Sequence, residues 1–332
     1  MIWSLQILRF VAALMVVYVH AAQIAFVATG SSGLIPQELA IMGRSGVDIF
    51  FALSGVVITR TAQGLNASQF AWRRVRRIMP IYLVCCIPAF LIAGKAGFGW
   101  REALATLLLW PATDVMTEPL IPVAWTLCFE MMFYVSVALV LIDRRWLYVL
   151  LSLYGLAFFL RPLGPVFQFL GNPLVIEFLL GVAIARAPMW RPGMLGVPMG
   201  FFALALAGPL HIAPTGGTLD FLAGQEGLQR VLVYGLPAAL IVYGAMQVKA
   251  RESVWTYLGD ASYTLYIVHT FMVSALLTLW MAFPLQSDLV VAATMAASVI
   301  LAWRVYEGVE KPLLHALPLS LRAPKLTRLR TQ

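Results

Sequence analysis

Residues 4–27, SLQILRFVAALMVVYVHAAQIAFV, form a long apolar run that starts almost at the amino terminus. A helix needs roughly 20 such residues to cross the hydrocarbon core of a bilayer. No separate basic segment precedes the run, and no soluble domain follows it. We therefore interpret it as a first transmembrane helix and not as a cleaved signal peptide.

The composition of the 332-residue chain extends this interpretation to its full length. Hydrophobic residues make up 61% and charged residues 11%, with a mean hydropathy of +0.86. A soluble domain carries about 25% charged residues, so this chain has too little charge to cover a water-soluble surface of its size. The three cysteines show no spacing typical of a disulfide framework or a metal site, and we expect no metal.

The apolar segments predict an all-α, polytopic integral membrane bundle of about ten transmembrane helices. Several segments are short and must be sheltered by neighbouring helices. Their predicted bounds are near 4–27, 46–60, 78–94, 121–142, 146–160, 172–186, 194–210, 231–248, 261–282 and 288–306.

The distribution of basic residues predicts the orientation of this bundle. If the amino terminus is cytoplasmic, 17 of the 23 Lys and Arg residues lie in cytoplasmic segments, five lie in external ones, and Arg9 lies within the first helix. Cytoplasmic loops carry an excess of Lys and Arg. We therefore expect both termini in the cytoplasm, and the net charge of +8 then reflects topology and not a nucleic-acid partner.

Two ionisable residues share one face of the first helix. Arg9 and His20 are eleven residues apart, and eleven helical steps return to nearly the same side, about 16 Å along the axis. Ionisable groups at membrane depth are costly and usually functional. Arg9 then lies toward the cytoplasm and His20 in the outer half. The alternative is a packing histidine and an arginine that reaches the inner interface.

The second helix contributes one carboxylate, within the segment Gly46–Gly55. Asp48, Ala52 and Gly55 share a face, and the small residues on that face permit close helix contact. If this helix descends from the outer side, Asp48 reaches the depth of His20, where a carboxylate would orient the imidazole and raise its basicity. The alternative is that Asp48 caps the amino end of its own helix.

Polar residues also lie near mid-membrane in the fourth and ninth helices. Glu130 and Tyr134 share a face of the fourth helix, and Tyr266 and His269 lie close together on the ninth. We consider all four as residues of a substrate pathway. The alternative is that Glu130 and His269 form a structural pair that satisfies itself. Glu177 in the sixth helix is expected only to hydrogen-bond within the bundle.

Arg73, Arg74, Arg76 and Arg77 lie within five residues, in what we predict to be a cytoplasmic loop. A guanidinium group pairs bidentately with phosphate oxygens, so this segment suits phosphate binding. The alternative is a topology signal that contacts anionic lipid head groups.

Several of these segments resemble, in order, the motifs of the membrane acyltransferase-3 family, whose members O-acylate bacterial glycans. Arg9 and His20 match the family's Arg–ten residues–His signature. Further patterns of the family, GxxGVDxFFxLSG, FxxxRxxRixP, WSLxxExxFY and LGxxSYxxYLxH, resemble Gly43–Gly55, Phe70–Pro80, Trp125–Tyr134 and Leu258–His269, and the ending Glu310–Pro312 is also similar. Thr126, Leu127 and Cys128 stand where the family often has Ser-Leu-Ser. The amino-terminal segment is most like that of the succinoglycan-type exopolysaccharide acetyltransferases.

The resemblance implies an acyltransferase-3 transmembrane domain over residues 1–312, followed by a basic cytoplasmic tail over 313–332. It implies a location in the bacterial inner (plasma) membrane. It also implies acetyl-CoA or another acyl-CoA as donor substrate, a polysaccharide or lipid-linked glycan as acceptor, and contact with membrane lipids.

The resemblance further implies roles for the candidate residues. His20 becomes the catalytic base, with Asp48 and Arg9 as further catalytic residues, and the four clustered arginines become the site for the CoA phosphates. We expect the pantetheine arm to enter the bundle past Arg9, so that His20 takes the proton of a sugar hydroxyl that attacks the thioester. Glu130, Tyr266 or His269 would stabilise the oxyanion or line the acyl pocket.

Two other classes of function remain open from the sequence. Charges inside the membrane and short helices also suit a transporter or flippase for a lipid-linked sugar or a small solute, although no internal repeat is visible. A catalytically silent scaffold of a polysaccharide export complex is the third possibility, and the presence of both Arg9 and His20 disfavours it.

Overall fold

The computed structural model describes residues 2–93, 98–283 and 286–318, and these segments form helices joined by short connections. We number ten principal helices: α1 Trp3–Thr29, α2 Gly46–Thr61, α3 Ala67–Ala93, α4 Trp125–Ile142, α5 Arg145–Leu160, α6 Val175–Arg186, α7 Gly196–Leu206, α8 Leu236–Ala245, α9 Ser262–Ala282 and α10 Ser287–Val305. In these described segments nine helical stretches are long and apolar enough to cross a membrane, and a tenth, Pro192–Leu206, is apolar but shorter. The predicted polytopic helical bundle is confirmed.

Helix α3 differs most from its predicted bounds, because it begins at Ala67 and not near residue 78. Asn66 and Gln69 form a capping box: the side chain of Asn66 accepts from the Gln69 N–H at 2.9 Å, and the side chain of Gln69 accepts from the Asn66 N–H at 3.3 Å. The prediction of a loop for the arginine-rich segment is therefore wrong. Its four arginines lie on the first turns of a membrane helix, which holds them in a fixed array.

The segment 211–230, which lies between two of the predicted transmembrane helices, contains two short helices, Thr218–Leu222 and Gly227–Arg230. A π-helical turn, Val231–Gly235, joins the second of these to α8. Arg230 is therefore part of the helical entry into the bundle. Its side chain is only 2% exposed, although the predicted helix bounds leave Arg230 in the connection before the eighth helix.

Contacts near the chain ends gather several elements at one end of the bundle, here called the arginine-rich end. Gln6 at the start of α1 donates to Asp260 at 2.8 Å, and Arg77 pairs with Glu310 at 2.7 Å. The first and last helices of the described domain thus have their outer ends on the same side of the bundle. This arrangement requires an even number of crossings, so α7 counts as a crossing beside the nine longer helical stretches. Residues 319–332, most of the predicted tail, lie outside the described residues.

Helix α1 lies at the centre of the bundle, in contact with α2, α9 and α10. Helices α2 and α6 cross closely where Gly55 meets Gly181, and a Cβ atom on either glycine would meet backbone of the other helix. Gly46 faces the other way, against the Ala12 carbonyl of α1. These contacts of small residues fix how α2 is rotated between its two neighbours.

Candidate functional site

Two cavities enter the bundle from its opposite ends and share part of their walls. The larger, about 510 Å³, opens at the arginine-rich end, and we call it the arginine cavity. The smaller, about 180 Å³, lies at the other end beside His20, and we call it the histidine cavity. Val47 and Tyr266 line both cavities. These two side chains therefore stand between the arginines and the histidine.

The arginine cavity brings together the sequence-predicted cations Arg9, Arg73, Arg74, Arg76 and Arg77. They are not equivalent. Arg77 pairs with Glu310 and also donates to the Asp260 carbonyl at 3.0 Å. Arg76 donates to the carbonyls of Leu314 and Leu317, the latter at 3.0 Å. These two arginines therefore hold the end of the described chain against α3.

The other three cations are more available to a ligand. Arg74 donates to the Thr61 hydroxyl and lies over the rings of Phe70 and Tyr134, 5.4 and 5.8 Å from their centroids. Arg73 is exposed, and neither its side chain nor that of Arg9 donates a hydrogen bond to another described residue. Arg9, Arg73 and Arg74 are therefore the cations of this cavity whose guanidinium groups are least engaged by the protein itself.

Glu130 lies deeper in the same cavity. Its Oε1 atom accepts from the hydroxyls of Ser54, at 3.2 Å, and Tyr134. The structural pair of Glu130 with His269 that the sequence left open does not form, because the His269 ring contacts His20 instead. The carboxylate of Glu130 is thus a fixed acceptor on the wall of the arginine cavity.

His20 and His269 form a hydrogen-bonded pair, with 3.1 Å between His20 Nδ1 and His269 Nε2. The Nδ1 atom of His269 lies 3.1 Å from the Leu265 carbonyl, which can only accept. With both rings neutral, His269 therefore donates from Nδ1 and accepts at Nε2, and His20 must donate from its own Nδ1. This assignment leaves the Nε2 atom of His20 as a free lone pair, the form that a general base requires.

The predicted contact of Asp48 with His20 does not occur. Both carboxylate oxygens of Asp48 instead accept from Arg230, at 2.9 Å from Nε and 2.9 Å from Nη2. The reason is the rotation of α2: Gly46 faces α1, and Asp48, two residues further, lies about 200° around the helix. The sequence-based prediction placed Asp48 at the depth of His20 but assigned its side chain to the wrong neighbour.

The ion pair of Asp48 and Arg230 is fully enclosed, with exposures of 0% and 2%. The guanidinium of Arg230 lies over the Phe221 ring, 4.4 Å from its centroid, and also donates to the Arg44 carbonyl. Its Nη1 atom makes no hydrogen bond to a described residue, and Arg230 lines the histidine cavity. Asp48 therefore orients an arginine donor toward the cavity that contains His20. Sequence reasoning missed Arg230, although a cation at the start of an apolar run was a signal.

A second carboxyl, Glu177 of α6, is buried against this pair. Neither of its oxygens has a hydrogen-bond partner among the described side chains. Its side chain occupies the space left by the missing Cβ of Gly235, within the π-helical turn that follows Arg230. Glu177 thus helps to shape the turn that presents Arg230, a role beyond the generic hydrogen bonding predicted for it.

Tyr266 forms the boundary between the two cavities. Its hydroxyl donates to the Val123 carbonyl at 2.9 Å and lies 3.0 Å from the Thr126 hydroxyl, so its one proton is already engaged. His269 likewise engages its proton on Leu265, and Glu130 lines the arginine cavity, where it accepts from Ser54 and Tyr134. Arg230, which lines the histidine cavity, is therefore better placed than Tyr266, His269 or Glu130 to donate a hydrogen bond to a developing oxyanion.

Comparisons with known proteins indicate the family of the chain. A family model described as an acyltransferase domain, of the acyltransferase-3 family, matches residues 2–306. The chain is 29% identical over 301 residues to the exopolysaccharide production protein ExoZ of Rhizobium meliloti (strain 1021), covering 82% of this chain and 90% of that protein. It is 26% identical over 313 residues to the acyltransferase MdmB of Streptomyces mycarofaciens, covering 81% of this chain and 78% of that protein. No solved structure shows a significant match.

The family match covers most of the described membrane domain, including both cavities and the helices that line them. The matched segment and the multi-pass helical bundle together identify the chain as a membrane protein that belongs to the acyltransferase-3 family.

Proposed function

We propose that this protein transfers an acyl group, most simply acetyl, from cytoplasmic acyl-CoA to a hydroxyl of an extracytoplasmic or lipid-linked polysaccharide. The observation that carries the proposal is the contact of the arginine cavity and the histidine cavity at Val47 and Tyr266. The similarity to an exopolysaccharide production protein supports a polysaccharide acceptor.

The arginine cavity suits the donor. Arg73 and Arg74 at its mouth present guanidinium groups to the phosphates of CoA, and Arg9 lies further along the path. The Glu130 carboxylate can accept from amide N–H groups of the pantetheine arm. The distance from Arg9 to His20 along α1 is about 16 Å, which the extended arm has to cover in order to bring the thioester past Tyr266.

The histidine cavity suits the transfer itself. The Nε2 atom of His20 removes the proton of the acceptor hydroxyl while the hydroxyl oxygen attacks the thioester carbonyl carbon. The tetrahedral intermediate collapses, the carbon–sulfur bond breaks, and the imidazolium returns its proton to the departing CoA sulfur. The product is an O-linked ester, and His20 is neutral again. No acyl-enzyme and no metal ion enters this sequence of steps.

Arg230 supplies the electrostatic part of the proposed mechanism. A negative charge develops on the thioester oxygen during the attack, and an N–H donor fixed in advance stabilises it without reorganisation. The bidentate pair with Asp48 holds the guanidinium rigidly. Asp48 is therefore proposed as a positioning residue for Arg230 and not for His20.

The proposal is tested with purified protein in sealed vesicles that enclose radiolabelled acetyl-CoA, with polysaccharide supplied outside. Molecules whose arginine-rich end faces the lumen should label the external polysaccharide, and His20→Ala should abolish this labelling while the protein still inserts and folds. Labelling that requires donor and acceptor on the same side would refute transfer across the membrane. Full transfer by His20→Ala would refute the role of the histidine.

A further inference from the structure

The histidine cavity carries a positive charge that the protein does not neutralise. Arg44 and Arg230 both line it, together with the polar side chains of Gln23 and Thr218, and no carboxylate side chain is among its lining residues. The charge of Arg230 is matched by Asp48. Among the described residues no carboxylate lies within ion-pair distance of Arg44.

The hydrogen bonds of Arg44 are also few and long. Its Nη1 atom donates to the carbonyls of Pro214 and Gly216, at 3.4 and 3.3 Å. Its Nε and Nη2 atoms donate to no described residue, and they are not among the polar atoms enclosed without a partner. The guanidinium is half-buried. Two of its donor atoms are therefore open to a ligand in the cavity.

Two acidic side chains of the adjacent loop, Glu226 and Asp220, are engaged in folding that loop. Glu226 accepts from the N–H groups of Thr215 and Gly216, at 2.8 and 3.0 Å. Asp220 accepts from the N–H of Gly217 at 2.9 Å. These bonds shape the segment 214–217 that rests on Arg44, and they leave the cation without a direct partner.

We propose that Arg44 binds an anionic group of the acceptor, a sugar carboxylate or a phosphate, beside the hydroxyl that His20 activates. A guanidinium pairs bidentately with either group. Because the cavity holds only about 180 Å³, the anionic group and the reactive hydroxyl belong to the same sugar unit or to adjacent ones. The assignment names the acceptor class and rests on the proposed function for the identity of the site.

The test compares acceptors that differ only in charge. Oligoglucuronate, the same oligosaccharide after reduction of its carboxyl groups, and a glycosyl phosphate are offered with labelled acetyl-CoA to the purified protein in detergent. The charged acceptors should have the lower KM. Arg44→Gln should raise that KM about 10-fold or more without a matching loss of kcat, because it removes charged hydrogen bonds. Arg44→Lys should lie between the two.

The matched control is Arg101→Gln, which removes an arginine that pairs with Asp114 and does not line the cavity. It should leave the KM unchanged. If only the glycosyl phosphate depends on Arg44, the anionic group is a phosphate; if only the uronate does, it is a carboxylate. Equal KM values for the charged and the reduced oligosaccharides, together with no preference for the phosphate, would overturn the assignment.

Binding without turnover separates this inference from the proposed function. In the His20→Ala background, the charged acceptors should still raise the melting temperature, and the additional Arg44→Gln substitution should abolish that shift. If charged acceptors raise the melting temperature but the wild type transfers no acyl group, the proposed function is refuted and the anion site is retained. If the wild type transfers acyl groups but shows no preference for charged acceptors in either the KM or the melting-temperature assay, the anion site is refuted and the proposed function is retained.

Discussion

The buried pair of Asp48 and Arg230 offers the sharpest test of how the site is built. In Asp48→Leu the guanidinium of Arg230, only 2% exposed, loses both of its 2.9 Å contacts to a carboxylate. Leaving one partner of a buried ion pair uncompensated costs about 3–5 kcal/mol. The double variant Asp48→Leu/Arg230→Met replaces the pair by apolar groups of similar volume, which is often close to neutral. The coupling energy between the two substitutions should therefore be about 3 kcal/mol or more.

The assay is reversible unfolding in mixed detergent and SDS micelles, with acyl transfer measured on the same samples. Stability should fall in each single variant and largely return in the double variant. Activity should not return, because the double variant lacks the Arg230 donor, and loss of one oxyanion donor costs roughly 100- to 1,000-fold in kcat. The exposed pair of Arg101 and Asp114 is the matched control, and its removal should change stability little.

Two results would refute this reasoning. If Asp48→Leu costs less than about 1 kcal/mol, the enclosed ion pair is not a structural unit of the protein. If the double variant is stable and fully active, Arg230 does not stabilise the transition state. A stable single variant with an altered pH dependence of kcat would instead restore the sequence-based prediction that Asp48 acts on His20.

Four further predictions concern other residues. His20→Ala should lower kcat at least 100-fold, because it removes the general base. His269→Ala should lower kcat about 10- to 100-fold and alter its pH dependence with little change in the KM for acyl-CoA, since the partner that orients His20 is lost. Arg73→Gln combined with Arg74→Gln should abolish the thermal stabilisation by acetyl-CoA and raise its KM about 10-fold or more. The hydrogen bond from its arginine partner lowers the pKa of Asp114 to about 2, so this ion pair stabilises the loop above pH ~4 and is lost as the pH falls from about 4 toward 2.

Each of these predictions has its own check. His315→Ala, outside both cavities, should leave kcat unchanged. His269→Gln, whose amide oxygen can accept from His20, should recover part of the lost rate, and no recovery would argue against the proposed hydrogen-bond chain. If acetyl-CoA stabilises the doubly substituted arginine variant as much as it stabilises the wild type, the proposed phosphate site is contradicted. An ordinary pKa for Asp114, measured by NMR of its side-chain carboxyl carbon, would show that the ion pair does not form in solution.

Part of the candidate site was predictable because it depends on one helix at a time. The eleven-residue spacing of Arg9 and His20 places them on one stripe of α1, and each lines one of the two cavities. The i, i+4 spacing of Glu130 and Tyr134 likewise predicts a contact that the structure contains. Helical periodicity is a local property, so these relations can be read from the chain.

The partners across helices could not be predicted in the same way. His20 contacts His269, which is 249 residues away in sequence, and Asp48 contacts Arg230, 182 residues away. Which face of α2 meets which neighbour depends on the close approach of Gly46 to α1 and of Gly55 to Gly181. Two residues along a helix, the side-chain direction changes by about 200°. A prediction with the correct depth but the wrong helix face therefore identifies the wrong partner.

The sequence by itself determined that this is a helical membrane protein with charged and polar groups at membrane depth, since hydropathy and basic-residue counts need no tertiary information. Tertiary structure decided that the arginines extend a membrane helix, that Arg230 is buried, and that Tyr266 separates two cavities. The physical reason is that burial, ion pairing and cavity shape arise only when helices pack. A cation in an apparent loop then becomes the enclosed partner of a distant carboxylate.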